Sequence, residues 1–402
     1  MNADRTVRNW HEALLAALTA SKLSGDDLRE CAQRLLGEQP SWLTEAMSGT
    51  REPMAHEYLV MSSLTAVPVP VLVGTVDPAS SAGVALRAGT LADTSTDTTS
   101  ARKRGVELIE AARLVNSWLG VDALARSEFL ETLRAARSRV DFAPKAGKQT
   151  AEQIRSVLAR LGIFDRDAAI HDLVGLVEMM GIPVELSSNL PEGVHGITVH
   201  DQSFGTWDAA IVIRVDDYWV RQRYTLAHEL CPVIFKDSGM VFVNDKTTES
   251  SQVGVERRAE SFARHFLVPS RQAKRVWRSF ATQGSPKALC EFMLEFGISR
   301  LAAVNIIRNL DLITDADASQ LRSANVAYMM ADSGLESKWN ELVSGQSDPS
   351  ASVWLVEASL NLYQQGLVPA KTVASVLDQP EEQVRNDLAS QGWGAEASVE
   401  RS

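Results

Sequence analysis

The chain has little cysteine: Cys31, Cys231 and Cys290 are the three in 402 residues, and they lie far apart. That spacing excludes a disulfide framework and points to a reducing compartment. No apolar stretch approaches the roughly 18 residues of a membrane span, so no membrane contact is expected. The start, Met1-Asn-Ala-Asp-Arg, has no apolar run behind a basic residue. No signal peptide is expected, and the expected location is cytoplasmic. Excess positive charge is also missing. Against 51 Asp and Glu stand 40 Lys and Arg, a net charge of −11. This argues against a general nucleic-acid or anionic-membrane surface. What is present is ordinary globular material, with 45% hydrophobic and 23% charged residues, long enough for roughly two or three domains.

Periodicity divides the chain into four parts. Residues 1–75 read as short helices, with Leu14, Leu15, Leu18 and Leu23 as one apolar stripe, then Leu28 to Leu36, Pro40 to Met47, Met54 to Leu64, and a closing turn at 68–72. Residues 76–150 read as a linker and helical connector. Within them 87–104 is rich in Thr, Ser and Asp and ends in Arg102-Lys103-Arg104, a basic run of the kind that forms a solvated face. From 151 to 310 come helices at 151–161 and 169–180, stopped by Gly162 and Gly181. Three β-rich runs follow at 182–186, 194–200 and 209–215, then a helix at 220–235, an extended piece at 240–244, and helices over 252–267 and 288–310. Residues 311–402 are helical after a polar stretch at 313–350. The expected fold class is α+β: a helical head, a core with a small sheet, and a helical C-terminal region.

The chemistry concentrates in Tyr224-Thr-Leu-Ala-His228-Glu229-Leu-Cys231-Pro232. In H-E-x-x-H two imidazoles one helical turn apart bind zinc, and the Glu beside the first takes a proton from zinc-bound water. Here the first His and the Glu are present, but Pro232 stands where the second His belongs. Proline offers no donor to a metal. In a helix interior it also removes a backbone bond and crowds the carbonyl four residues back, at a cost of about 3 kcal/mol or more. Cys231, three residues after His228, can share a helix face with it and is a chemically possible zinc ligand. As a small residue it reads equally as core, and the core reading is favoured because such spacing is common. His265, nine residues after Glu256, falls half a turn away and reads as a surface His. Asp237, His171 and His200 could approach only through the fold.

Downstream lies Glu256-Arg-Arg-Ala259-Glu-Ser-Phe262-Ala263-Arg-His-Phe266-Leu267-Val-Pro269. Together with Thr225-Leu-Ala-His-Glu-Leu230, this block resembles the ImmA/IrrE family of metallopeptidases over about residues 150–310. Phe296-Gly-Ile-Ser299 and the helical rhythm after it resemble a helix-turn-helix substructure that follows the peptidase core in that family. The resemblance implies a zincin-like core with His228 and Glu256 as metal ligands and Glu229 as general base. It implies zinc, which the loss at Pro232 would leave absent or weakly held, and repressor proteins as partners. Trp42-Leu to Gly49, followed by Glu57 to Leu72, resembles an Xre-type helix-turn-helix, which would add DNA as a partner. Residues 1–75, however, hold 6 Lys and Arg against 9 Asp and Glu, and phosphate contacts need cations. Three functions follow as expectations: a regulator that recognises a protein through a core impaired in zinc chemistry, an active zinc endopeptidase with an altered ligand set, or a DNA-binding regulator with a sensor core.

Overall fold

The computed structural model describes residues 10–21, 24–36, 40–65, 67, 69–73, 82–88, 99–202, 208–237, 246–282, 285–344 and 349–393. Within them the architecture is α+β: a helical N-terminal unit, a small mixed sheet between helical layers, and a helical C-terminal region. No helix among the described residues is long and apolar enough to cross a membrane.

The N-terminal unit has five helices: α1 (Trp10–Ser21), α2 (Gly25–Leu36), α3 (Ser41–Met47), α4 (Ala55–Thr65) and α5 (Val69–Leu72). Leu14, Leu18, Leu28, Leu43, Met61, Leu64 and Leu72 close its core. Leu15, expected on the same stripe, is instead 41% exposed. It follows Leu14 by one residue, about 100° round the helix, so both cannot face inward. Leu23 lies outside the described residues.

The sheet has four strands in the order β1 (Ala82–Ala88), β3 (Val194–Asp201), β4 (Asp208–Arg214), β2 (Val184–Ser187). β1 and β4 flank β3 antiparallel, and β2 runs parallel to β4. β4 shows why this sequence makes a buried strand. Ala209, Ile211 and Ile213 enter one core, while Ala210 and Val212 enter the other, as the period of two requires. One face is covered by α10 (Trp219–Phe235). The opposite face is covered by α6 (Thr99–Leu119), α18 (Val353–Gln364) and α19 (Ala370–Leu377). α6, expected as part of a connector, thus packs across β3 and β4. The basic run that opens it is not wholly solvated. Arg104 is buried, its Nε donates to Glu185 on β2 at 2.7 Å, and Nη2 donates to the Val376 carbonyl at 2.9 Å. Hydrogen bonds and charge compensate the burial.

Behind α10, α8 (Ala143–Arg160) packs along α11 (Lys246–Leu267). α9 (Leu173–Met179), α12 (Ser270–Ala281), α13 (Ser285–Phe296) and α14 (Arg300–Asn309) complete this layer. α13 stops at Gly297, whose φ of +60° only glycine adopts without strain. α14 starts at Ser299, whose hydroxyl accepts from the Ala302 N–H. Phe296-Gly-Ile-Ser299 is therefore a helix stop followed by a helix start. The polar stretch 313–350 is mostly helical, with α15 (Asp315–Ser323), α16 (Val326–Asp332) and α17 (Glu336–Ser344). Its Ala318, Leu321, Met329 and Met330 are buried. The other described helices are α7 (Val121–Ala135) and α20 (Glu381–Ser390). The piece expected at 240–244 lies outside the described residues.

Candidate metal centre

α10 runs close against β3 because Gly196 puts no side chain between them. A Cβ on Gly196 would meet the Thr225 methyl at 2.4 Å and Glu229 Cγ at 3.4 Å. Two residues on, the Thr198 hydroxyl lies 2.9 Å from the Glu229 carbonyl and donates to its Oε2 at 2.7 Å. Glu229 is 1% exposed, so this neutral donor helps offset the desolvation of a carboxylate. The Gly196–Thr198 pair is the part of the site that the motif did not reveal. Its signal was present: a small residue and a hydroxyl two apart, on one face of a strand preceding the motif helix.

α10 does not end at Pro232. It continues to Phe235 and closes at Lys236, which takes a left-handed conformation at φ 54°. Residues after the proline are still buried on the core side, Val233 and Ile234 at 0% exposure, and tertiary packing outweighs the local cost. Arg258 of α11 holds the helix end. It pairs with Asp237 and lies over the Phe235 ring at 4.0 Å from the centroid, a cation–π contact.

His228 and Glu256 meet. His228 Nε2 lies 3.2 Å from Glu256 Oε2, with the imidazole buried and the carboxylate half exposed. Two ligands bonded to one tetrahedral zinc at about 2.0–2.1 Å each stand roughly 3.3 Å apart. The pair therefore keeps the separation of a ligand edge. Among the described residues the rest of a zinc site is not found. His228 Nδ1 is buried and has no hydrogen-bond partner among them, whereas a metal-bound His normally donates its other ring N–H to an acceptor. Among the described residues no three His, Cys, Asp or Glu come together so as to hold a metal.

The other candidates are engaged elsewhere. Cys231 is 0% exposed within the hydrophobic core, and burial pushes its thiol well above the ordinary range; it packs as a core residue and does not complete the set. Asp237 is taken by Arg258, and burial raises its carboxyl. His200 is buried near the end of β3, and desolvation lowers its pKa. His171 is exposed. His265, expected at the surface, is half buried on α11 with Nδ1 at 2.8 Å from the Ser261 carbonyl oxygen. A catalytic zinc takes three protein ligands and keeps one open position. The described residues offer two, so the donor set does not fit that group.

Residues 180–307 match the family model of the IrrE N-terminal-like domain, Peptidase_M78. The match supports an ImmA/IrrE-type core over this part of the chain. It contains β2, β3, β4 and α10 to α13, and with them His228, Glu229, Pro232 and Glu256. No curated protein and no solved structure matches the chain.

Proposed function

We propose that the chain is an ImmA/IrrE-type regulatory protein whose peptidase-like core recognises a protein partner without zinc-dependent cleavage. The partner class implied by the resemblance is a transcriptional repressor. The observation that carries this reading is the ligand edge: His228 and Glu256 stay at 3.2 Å while Pro232 closes the third position inside an unbroken helix. A fold kept in register around a defective metal set retains its surface and loses its Lewis acid. Glu229 has no metal-bound water to deprotonate in this arrangement. The buried Cys231 thiol speaks against an altered ligand set. The acidic balance of residues 1–75 and the absence of Lys or Arg from α3 favour protein over DNA as the partner of the N-terminal helices.

The test is metal analysis of the purified full chain after dialysis, with no zinc added. Well under one zinc per chain is expected. Stoichiometric zinc that survives dialysis would return the protein to the metallopeptidases and require a ligand outside the described residues.

A further inference from the structure

β3 is the strand that carries the side chain bonded to Glu229. Thr198 holds Glu229, and Gly196 lets α10 approach. The matched core, 180–307, contains β2, β3 and β4 and stops at β3 on this side. An edge strand presents a row of N–H and C=O groups that another extended chain can pair with. Here that row is taken by β1, a segment about a hundred residues upstream and outside the matched core. β1 lies antiparallel on β3 with Ala85 opposite Thr198 and Arg87 opposite Gly196. It therefore runs past the two residues that seat Glu229, and α10 also touches it.

Two further features set β1 apart from a structural strand. Its sequence, Ala82-Gly-Val-Ala-Leu-Arg-Ala88, is more than half Ala and Gly, residues depleted in strands. Its pairing also slips between Arg87 and Ala88. On both sides its neighbours in sequence, 74–81 and 89–98, are rich in Gly, Ser, Thr and Asp, a composition that neither drives helix nor buries apolar surface.

We propose that β1 is a resident pseudo-ligand: a strand of the chain's own that occupies the edge of β3 opposite the residues that seat Glu229, against the helix that carries His228. The partner of this core is then an extended protein segment that pairs with β3 in place of β1. This rests on the protein-recognition reading above and specifies its surface. Main-chain hydrogen bonds supply the affinity of such strand addition, and side-chain pockets its specificity. A tethered strand competes at an effective concentration of about millimolar, so β1 sets a threshold that only a better-fitting segment passes.

The test uses the full chain and a fluorescein-labelled peptide with the sequence of residues 81–89. In the variant Val84→Pro/Ala85→Pro, neighbouring N–H groups point to opposite sides of the strand, so one proline must remove a bond to β3. A second variant replaces 82–88 by a Gly-Ser run of equal length. By fluorescence anisotropy, each variant is expected to bind the peptide at least ten-fold more tightly than the parent chain. Amides of 194–201 should exchange faster in the variants and slow again with peptide. A folded variant that binds no better than the parent, or β3 amides that exchange alike in both, would overturn the proposal. So would failure of both variants to fold, because β1 would then be a structural strand. Low zinc with a failed peptide test would leave the protein-recognition reading standing and remove only this edge.

Discussion

At the scale of single residues the question is whether one substitution would complete the metal set. Pro232 lies four residues after His228, on the same helix face, and His228 and Glu256 already stand at a ligand-edge distance. Pro232→His supplies the third donor and returns a backbone N–H to α10. The expected outcome is a zinc content severalfold above that of the parent, read by elemental analysis after dialysis, in a protein with unchanged helical content. A folded Pro232→His chain with no more zinc than the parent would place the defect also in the unpartnered Nδ1 of His228, since outer partners are worth about 10–100-fold in metal affinity. A second residue-scale prediction concerns acid. Burial lowers the pKa of His265 and His200 below the ordinary 6.5. In the unfolded chain both take up protons near 6.5, whereas folded they resist until lower pH. The unfolded state then binds more protons in that window, so stability falls as pH drops through 6.5 towards the folded values. The buried carboxyls of Glu178 and Glu185 have raised values. Their sign is opposite, so the histidine contribution is isolated by comparing the parent with His265→Gln. Urea midpoints should therefore fall between pH 7.5 and 5.5, and less steeply in His265→Gln. Equal slopes would show that His265 is not the group responsible.

At the scale of elements, the pairing of α8 with α11 positions Glu256. Gly147 makes it possible: a Cβ there would stand 2.2 Å from the Arg258 carbonyl oxygen and 2.9 Å from the Phe262 nitrogen. Both are backbone atoms and cannot swing aside. Gly147→Ala should force the helices apart and cost about 1–3 kcal/mol, despite the better helix propensity of Ala. A urea melt no less stable than the parent's would contradict this packing. This element also shows what the sequence conceals. The periodic pattern was legible from residue 151, while α8 begins at Ala143, with Pro144 in its first turn and Gly147 inside it. Pro there is compatible with a helix start, and Gly is tolerated because a neighbouring helix needs the space. Read locally, both are breakers. Strands β2 to β4 were legible within one or two residues because they are short apolar runs between turn residues. β1 was not, because Ala and Gly carry no strand signal. The His228–Glu256 pair was legible from the motif flanks, and the Thr198 hydroxyl on Glu229 was not, because it depends on which face of β3 meets α10.

At the scale of the whole molecule, the two ends of the described chain are joined by charge. α2 opens with Ser24 and Asp27 capping each other, Ser24 N–H to Asp27 Oδ2 at 2.7 Å and Asp27 N–H to Ser24 Oγ at 3.1 Å. The same Asp27 carboxylate meets Lys371 of α19 at 3.3 Å, and Glu30 takes both Nη atoms of Arg385 of α20 at 3.0 and 2.9 Å. α19 in turn packs on α6, and α6 on the sheet. The N-terminal helices are thus clamped to the layer that backs β3. Partly exposed pairs of this kind are worth only about 0–1 kcal/mol each and weaken with salt over a Debye length of about 8–10 Å. The clamp can therefore set the position of the N-terminal helices while adding little to global stability. Arg385→Glu places like charges opposite Glu30 and Glu381. The expected outcome is a thermal midpoint within a few degrees of the parent's and clearly faster proteolytic cutting between residues 74 and 98, where the chain passes from the N-terminal helices through β1 to α6. High salt should produce the same pattern in the parent chain. If Arg385→Glu leaves the cutting rate unchanged at low salt, the ion pairs are incidental, and apolar contacts such as Trp118 against the N-terminal core hold the two ends together.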